Sequence, residues 1–306
     1  MKNPEKQFMK RSRRYPVVHI KVWDGRFNVV GLGVWHSYWR DPYHLLLTVP
    51  WIGFMGIISF FYLITNTLFA LLYMLQPDGV TNMRPGSFSD AFFFSVQTLA
   101  TIGYGVMAPK SFYANTIVTI EAMAGLVGVA LMTGLAFARF SRPTARVLFS
   151  QAAVILPYDG VPTLMFRTAN QRRNQILEAQ MQVYFMRDEV SAEGHSMRRF
   201  YDLRLLRRQT PSFTLSWTLM HPIDQDSPLY GMTPKRLMQG NVTIVASING
   251  IDETVSQPIH ARHIYGPRDI FWNHRLVDIF HDTGDGNRYM DYDSFHDTQP
   301  IDSNSP

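Results

Sequence analysis

Thr101, Ile102, Gly103, Tyr104 and Gly105 form a pentamer with glycine at alternate positions. Alternate glycines let a backbone adopt left-handed angles that are costly for residues with a Cβ. Successive carbonyl oxygens can then face one side. Four such strands around an axis would offer stacked rings of oxygen able to replace the water around a potassium ion. Thr101 would add its hydroxyl at the inner end. Ile102 and Tyr104 would point away from the axis and wedge the strand against its support. On this reading the only bound metal is K+ at the carbonyls, and no other cofactor is expected. Glycine-rich pentamers are common in turns, so the surrounding residues must decide.

Those surroundings are poor in charge. No Asp, Glu, Lys or Arg occurs from Pro42 to Pro77 or from Ala91 to Pro109, and Glu121 alone interrupts Ser111 to Ala138. Residues 49–75 are long enough for a helix across a bilayer core, at about 1.5 Å per residue, and residues 112–138 for a second. Between them, Ser87-Phe88-Ser89-Asp90 has the pattern of a capping box, which predicts a short helix over 88–99. A capped apolar helix followed by glycine-broken backbone at membrane depth is a re-entrant loop. Such backbone is tolerated only when buried in protein or lining a watery path. The short helix would aim the negative end of its dipole below the filter at 101–105, favouring a cation there.

The second span should line the path. Leu126, Val129, Thr133 and Phe137 recur at spacings of three and four on one helical face. A ring of Phe137 side chains near the inner end could close a dry constriction. Glu121 lies about two turns nearer the filter than Val129. An ionisable group at that depth is a functional candidate, here as filter support with Gln97 as a possible partner. Gly125, Gly128 and Gly134 would permit close helix approach or bending.

Across its 306 residues the chain has 17% charged residues, no cysteine and a net charge of +5. The low charge argues against a wholly soluble protein. A mean hydropathy of -0.08 argues equally against one that is membrane throughout. The absence of cysteine excludes disulfides and thiol chemistry. Residues 1–146 carry 14 basic and 6 acidic residues, whereas 147–306 carry 15 and 18. A basic flank beside apolar spans predicts a cytoplasmic N-terminus rather than a nucleic-acid partner.

The remaining segments follow from composition. Residues 1–33 read as a mobile basic leader. The aromatic and polar mixture at 34–46 suits a helix lying in the membrane interface. Arg139, Arg142 and Arg146 mark a basic linker over 139–150. From 151 to 296, β-type runs such as Met181–Met186, Phe213–Met220 and Asn241–Ile248 suggest an antiparallel sandwich. Asp159-Gly160, Asn249-Gly250 and Asp285-Gly286 are its turn signals. Residues 297–306 read as a frayed tail.

Other functions fare less well. No arginine-every-third sensor helix is present. His260 and His263 would point to opposite faces of a strand, so they make a poor metal pair with His274. His19, His36 and His44 read as surface histidines. A membrane-anchored enzyme or a non-conducting adaptor with a soluble β domain stay as alternatives, but neither accounts for Gly103 and Gly105.

The pore stretch from Arg84 to Gly105, FARFSRPTARVLFS at Phe137–Ser150 and LSWTLMHPIDQDSPLYG at Leu215–Gly231 together resemble the prokaryotic inward-rectifier potassium channels. The resemblance covers residues 34–296. It implies a two-span helical pore domain over 47–138, with a re-entrant pore helix and filter, joined to an all-β, immunoglobulin-like cytoplasmic sandwich. It further implies a voltage-independent homotetramer in the bacterial inner membrane, with both termini cytoplasmic and an interfacial slide helix near 34–46. By position it marks Thr101–Gly105 as filter, Phe137 and Val129 as narrow points of the gate, Gly134 as a hinge, and Arg139, Arg142 and Arg146 as contacts to anionic lipid, including phosphoinositides. Strongly rectifying relatives carry an acidic residue where Val129 stands, so weak cavity rectification is expected. Val106 follows the filter where many relatives have an aromatic residue and then arginine.

Overall fold

The computed structural model describes residues 18–23, 26–31, 41–282 and 288–301. The chain forms two compact units, one within 1–15 and 32–142 and the other within 16–31 and 143–306. The expected interfacial helix falls largely outside the described residues. Its described end is a seven-residue helix, α1 (Pro42–Thr48), capped by Asp41, which accepts from the His44 amide at 3.0 Å.

Helices α2 (Trp51–Met74) and α4 (Phe112–Phe140) are the two apolar spans, with mean hydropathies of 1.9 and 1.8. Few residues of either span are buried within the chain, whereas the core helix of a soluble protein is mostly buried. α3 (Phe88–Leu99) lies between them, and Ser87 accepts from the Asp90 amide as its N-cap. Apolar packing joins the three helices: Ala70 and Tyr73 of α2, Ala91 and Phe94 of α3 and Ala114 of α4 share one cluster. The Tyr73 and Phe94 rings meet edge to face at 4.9 Å.

The second unit contains a hairpin, β1 (Val18–Trp23) and β2 (Arg26–Gly31), so the expected leader over 1–33 includes paired strands. The rest of that leader is outside the described residues. The sandwich begins at β3 (Val147–Phe149), inside the expected linker. It continues through β4 (Ala153–Tyr158), β5 (Val161–Asn170), β6 (Ile176–Val190), β7 (Ser196–Asp202), β8 (Gln209–Phe213) and β9 (Ser216–Pro222). After a short helix α5 (Pro234–Gln239) come β10 (Thr243–Asp252), β11 (Gln257–Tyr265) and β12 (Ile270–Trp272). One five-stranded sheet runs β11-β10-β6-β7 with β8 also on β6. The other runs β12-β4-β5-β3 with β9 also on β5. Their facing side chains, among them Phe166, Leu219, Phe185 and Ile244, form one core. Burying each such side chain contributes roughly 2 kcal/mol.

Two turn and strand expectations change. Asn249-Gly250 is a bulge inside β10, where the register against β6 shifts between Asn249 and Ile251. The apolar residues on either side keep their pairing, and the glycine admits β6: a Cβ on Gly250 would lie 2.5 Å from Ile176 Cγ2. The run Phe213–Met220 is two strands, since β8 ends in one sheet and β9 pairs in the other. Asp159-Gly160 does turn the chain between β4 and β5, with φ of 51° and 80°. Asp285-Gly286 lies outside the described residues.

β5 is buried on both faces from Thr163 to Asn170. Its outer face is covered by a C-terminal segment that Arg167 holds. That guanidinium donates to the carbonyls of Phe295, Val277 and Ser294 at 2.8, 2.5 and 2.9 Å. The segment includes β13 (His274–Leu276), β14 (Phe280–Asp282), β15 (Arg288–Met290) and β16 (Thr298–Pro300). β16 pairs with β13, so the described part of the expected frayed tail is ordered by the sheet.

His221 on β9 is buried. Its Nδ1–H donates to the Arg204 carbonyl at 2.7 Å, so Nε2 accepts from the Ser227 hydroxyl at 2.8 Å. Burial pushes the imidazole below its ordinary value of 6.5, though Asp224 and the Arg204 carbonyl oppose this. A group with a depressed folded-state value binds its proton more readily in the unfolded chain. Its contribution is therefore intact above about pH 6.5 and is lost as the pH falls below that. The melting temperature of the full chain in detergent should drop between pH 7 and 5, and His221→Gln should flatten part of that slope, which can reach about 1.4 kcal/mol per pH unit.

Candidate functional site

The pentamer follows α3 directly. Thr101, Gly103 and Gly105 all have positive φ, at 56°, 58° and 82°. The alternation expected from the glycines is thus present and extends to a threonine, for which positive φ is uncommon. The amides are tied backwards onto α3. Thr101 N–H donates to the Thr98 carbonyl at 3.0 Å, and Ile102 and Gly103 N–H donate to the Gln97 carbonyl at 2.8 and 3.4 Å. Among the described residues, no hydrogen bond ends on a carbonyl from Thr101 to Gly105. The strand therefore has its first three amides occupied and its carbonyls available. Ile102 and Tyr104 are exposed within one chain, so any wedging must come from outside it.

The outer end of the pentamer is held by the loop after α2. Thr81 N–H donates to the Ala108 carbonyl at 2.8 Å, Lys110 N–H to the Gly79 carbonyl at 2.7 Å, and Asn82 Nδ2 to the Val106 carbonyl at 2.7 Å. Arg84 grips Asp90 at the start of α3 through two bonds of 2.8 and 2.7 Å. This pair holds the Asp90 carboxyl well below the usual carboxylate range. These loop contacts had no motif to announce them in the sequence.

Glu121 on α4 is fully buried and joins all three helices. It accepts from the Tyr73 hydroxyl of α2 at 2.5 Å and from the Ser95 hydroxyl of α3. Ser95 Oγ also lies 3.0 Å from Asn66 Oδ1, and Asn66 Nδ2 donates to the Tyr62 carbonyl at 2.8 Å. The partner suggested from sequence, Gln97, is not in this network. It meets the strand at 101–105 through its backbone carbonyl instead, while Tyr73, Ser95 and Asn66 were missed because polar residues inside apolar runs carry no periodic signal. Four residues beyond Glu121, Gly125 meets the carbonyl end of α3 so closely that a Cβ would lie 2.2 Å from the Leu99 oxygen. Gly128 and Gly134 have no such neighbour within the chain.

The stripe of Leu126, Val129, Thr133 and Phe137 is exposed along α4. Phe137 is 72% exposed, so it does not serve as packing against another helix of its own chain. At the end of α4, Arg139 donates to the carbonyls of Leu46 and Val49, and Arg142 donates to that of Leu47 at 3.0 Å. Arg146 is exposed, and its carbonyl accepts from the Gln171 amide in the second unit. His260 and His263 lie on β11, where His260 contacts Asn249 Oδ1 and His263 stacks on Phe149. No cluster of three metal-binding side chains occurs among the described residues.

Removing the buried carboxyl should loosen the three helices together. Glu121→Ala is expected to cost about 3 kcal/mol through the cavity and the stranded hydroxyls. Glu121→Gln keeps the shape and should cost less than half as much. Thermal unfolding in detergent, followed by intrinsic fluorescence, checks the order.

Comparison with known proteins agrees with this architecture. Residues 147–306 match the family described as inward rectifier potassium channel C-terminal domain, and residues 54–142 match an ion channel family. The chain is 48% identical to the inward rectifier potassium channel Kirbac3.1 of Paramagnetospirillum magnetotacticum over 275 residues, 90% of this chain and 93% of that one. It is 28% identical to inward rectifier potassium channel irk-1 of Caenorhabditis elegans, across 87% of this chain and 53% of the relative. To human inward rectifier potassium channel 4 it is 32% identical, across 72% of this chain and 51% of the relative. These relatives are ion channels and not enzymes. A two-span pore unit, a glycine-alternating strand behind a short helix and a β-sandwich thus occur together in a chain that belongs to the prokaryotic inward rectifier potassium channels.

Proposed function

We propose that four copies of this chain surround one axis and pass potassium through Thr101–Gly105. The observation that carries the reading is the alternation of positive φ at Thr101, Gly103 and Gly105, with the amides of Thr101, Ile102 and Gly103 bound to α3 and the carbonyls left over. Four strands of this kind offer a dehydrated cation rings of oxygen, and one chain supplies a quarter of each ring. The carbonyl end of α3 adds a favourable potential for the cation below the filter. Glu121 and Gln97 support the strand from behind, the first through Ser95 and the second through its carbonyl.

Below the filter, the exposed stripe of α4 lines the cavity, narrowing at Val129 and closing at Phe137 by a ring of apolar side chains. Gly134, with open space where a Cβ would stand, supplies the bend. An uncharged Val129 gives a cavity with little attraction for multivalent blocking cations, hence weak rectification. Both termini lie on the cytoplasmic side of a bacterial inner membrane. The slide helix ends in α1 (Pro42–Thr48). Anionic lipid, phosphoinositides included, biases the gate at the basic linker, where each exposed arginine such as Arg146 adds about 1 kcal/mol of attraction.

The test is rubidium uptake into liposomes holding the purified protein, against sodium, with and without barium. Selective, barium-sensitive uptake is expected. Gly103→Ala should remove it with assembly intact, and retained potassium preference in that variant would refute the filter assignment. Phe137→Ala should raise resting uptake at least several-fold. Unchanged uptake would remove Phe137 from the gate.

A further inference from the structure

The outer half of the pentamer has little of its own to hold it. The amides of Thr101, Ile102 and Gly103 are tied to α3, but among the described residues those of Tyr104 and Gly105 have no acceptor within the chain. Gly103 and Gly105, with φ of 58° and 82°, add the freedom of residues without a Cβ. The next fixed point is the Val106 carbonyl, which accepts from Asn82 Nδ2 at 2.7 Å. Tyr104 and Gly105 thus run between two ties, one made by Gln97 on α3 and the other by Asn82.

The loop before α3 is shaped for that second tie. Asn82 has a φ of 59°, a left-handed conformation that asparagine tolerates better than most residues. Val80 and Met83 on either side of it are buried in the cluster that joins the three helices. Thr81 takes both backbone groups of Ala108: its amide donates to the carbonyl at 2.8 Å, and its hydroxyl accepts from the amide at 3.0 Å. The Gly79 carbonyl accepts from the amides of Lys110 and Ser111 at 2.7 and 3.2 Å. The loop is therefore a platform, and Asn82 is the side chain it extends to the first residue after the pentamer. Asn82 is exposed. Water competes for a bond at such a place, so the bond contributes little to stability. What it does fix is an orientation. With the Val106 carbonyl turned to the loop, the row of free oxygens ends at Gly105.

We propose that Asn82 is the outer tether of the filter. By holding the Val106 carbonyl it keeps the Gly105 carbonyl, one peptide earlier, in its ring. Asn82 touches no ion; it is a positioning residue acting through the Val106 peptide, so the inference rests on the filter proposed above. Without the tether, the arrangement of Gly105 that can bind potassium is a smaller fraction of the population. Apparent affinity falls by that fraction.

The experiment melts the full chain in detergent across a series in which potassium replaces sodium at constant ionic strength. Intrinsic fluorescence gives the potassium midpoint of stabilisation, and the state of the gate does not enter. Asn82→Gly keeps the left-handed backbone and removes the donor. Its midpoint should move about five-fold to higher potassium, with melting in sodium alone close to the parent's. Thr81→Val loosens the platform without removing the Val106 bond, and should lower melting in both cations with the midpoint in place. A parent-like midpoint in Asn82→Gly overturns the tether. An equal shift in Thr81→Val also overturns it, because the loop as a whole would then be responsible. Asn82→Asp is the second variant should Asn82→Gly not assemble. Its carboxylate cannot donate, so the midpoint should again rise; an unmoved midpoint, or a lower one from attraction of potassium to the new charge, rejects the tether. A parent chain that potassium stabilises no better than sodium refutes the filter reading and the tether with it. A stabilised parent with unmoved variants refutes the tether alone.

Discussion

Backbone polar groups at membrane depth must find partners inside the protein, since hydrocarbon offers none. Much of the first unit answers that constraint. The two spans satisfy it by being helices. Residues 100–110 cannot, because the strand at 101–105 abandons helical geometry. Its early amides turn back onto the Thr98 and Gln97 carbonyls, and its outer end is laced to the loop at Gly79–Asn82. What remains unpaired is a row of carbonyl oxygens. In soluble backbone that row would be a defect met by water. On the proposed reading it is the surface on which an ion can replace its hydration shell.

The same constraint explains the polar residues inside apolar helices. Glu121, Ser95, Asn66 and Tyr73 would each be costly alone in a membrane. Together they satisfy one another and fix α3 between the two spans. Gly125 completes the arrangement by letting α4 touch the Leu99 carbonyl. A pore helix held at both its side and its end is a firm base for a strand whose conformation is intrinsically unfavourable.

The second unit follows a different economy. Water surrounds it, so alternation along the strands and one shared core suffice. Its irregularities occur where backbone must pass close to backbone or change sheets. Gly250 makes room for β6, and the break after Phe213 carries the chain from one sheet to the other. Arg167 fastens the C-terminal segment over β5 by donating to three carbonyls, with the charges of Asp278 and Asp297 nearby to offset its burial.

The elements of the pore unit were legible in the sequence because membranes impose simple signatures: a charge-free run sets a span, a capping box starts a helix, and alternate glycines mark unusual backbone. α3 begins and ends where those rules place it, and α4 runs only two residues past its expected end. In the sandwich, strand runs were visible but their ends were not, since Asn249-Gly250 suits a turn and a bulge equally well by composition. Partnership was the part that no local pattern encoded. Glu121 reaching Tyr73 and Ser95 rather than Gln97, and Arg139 donating to the Leu46 carbonyl that Pro50 leaves without its helical donor, depend on side chains brought together from 26 to 93 residues away. The sequence by itself determined which backbone would be helical, extended or broken, because those choices are made residue by residue. Only the tertiary structure decided which polar group answers which, because that is settled by distance in space.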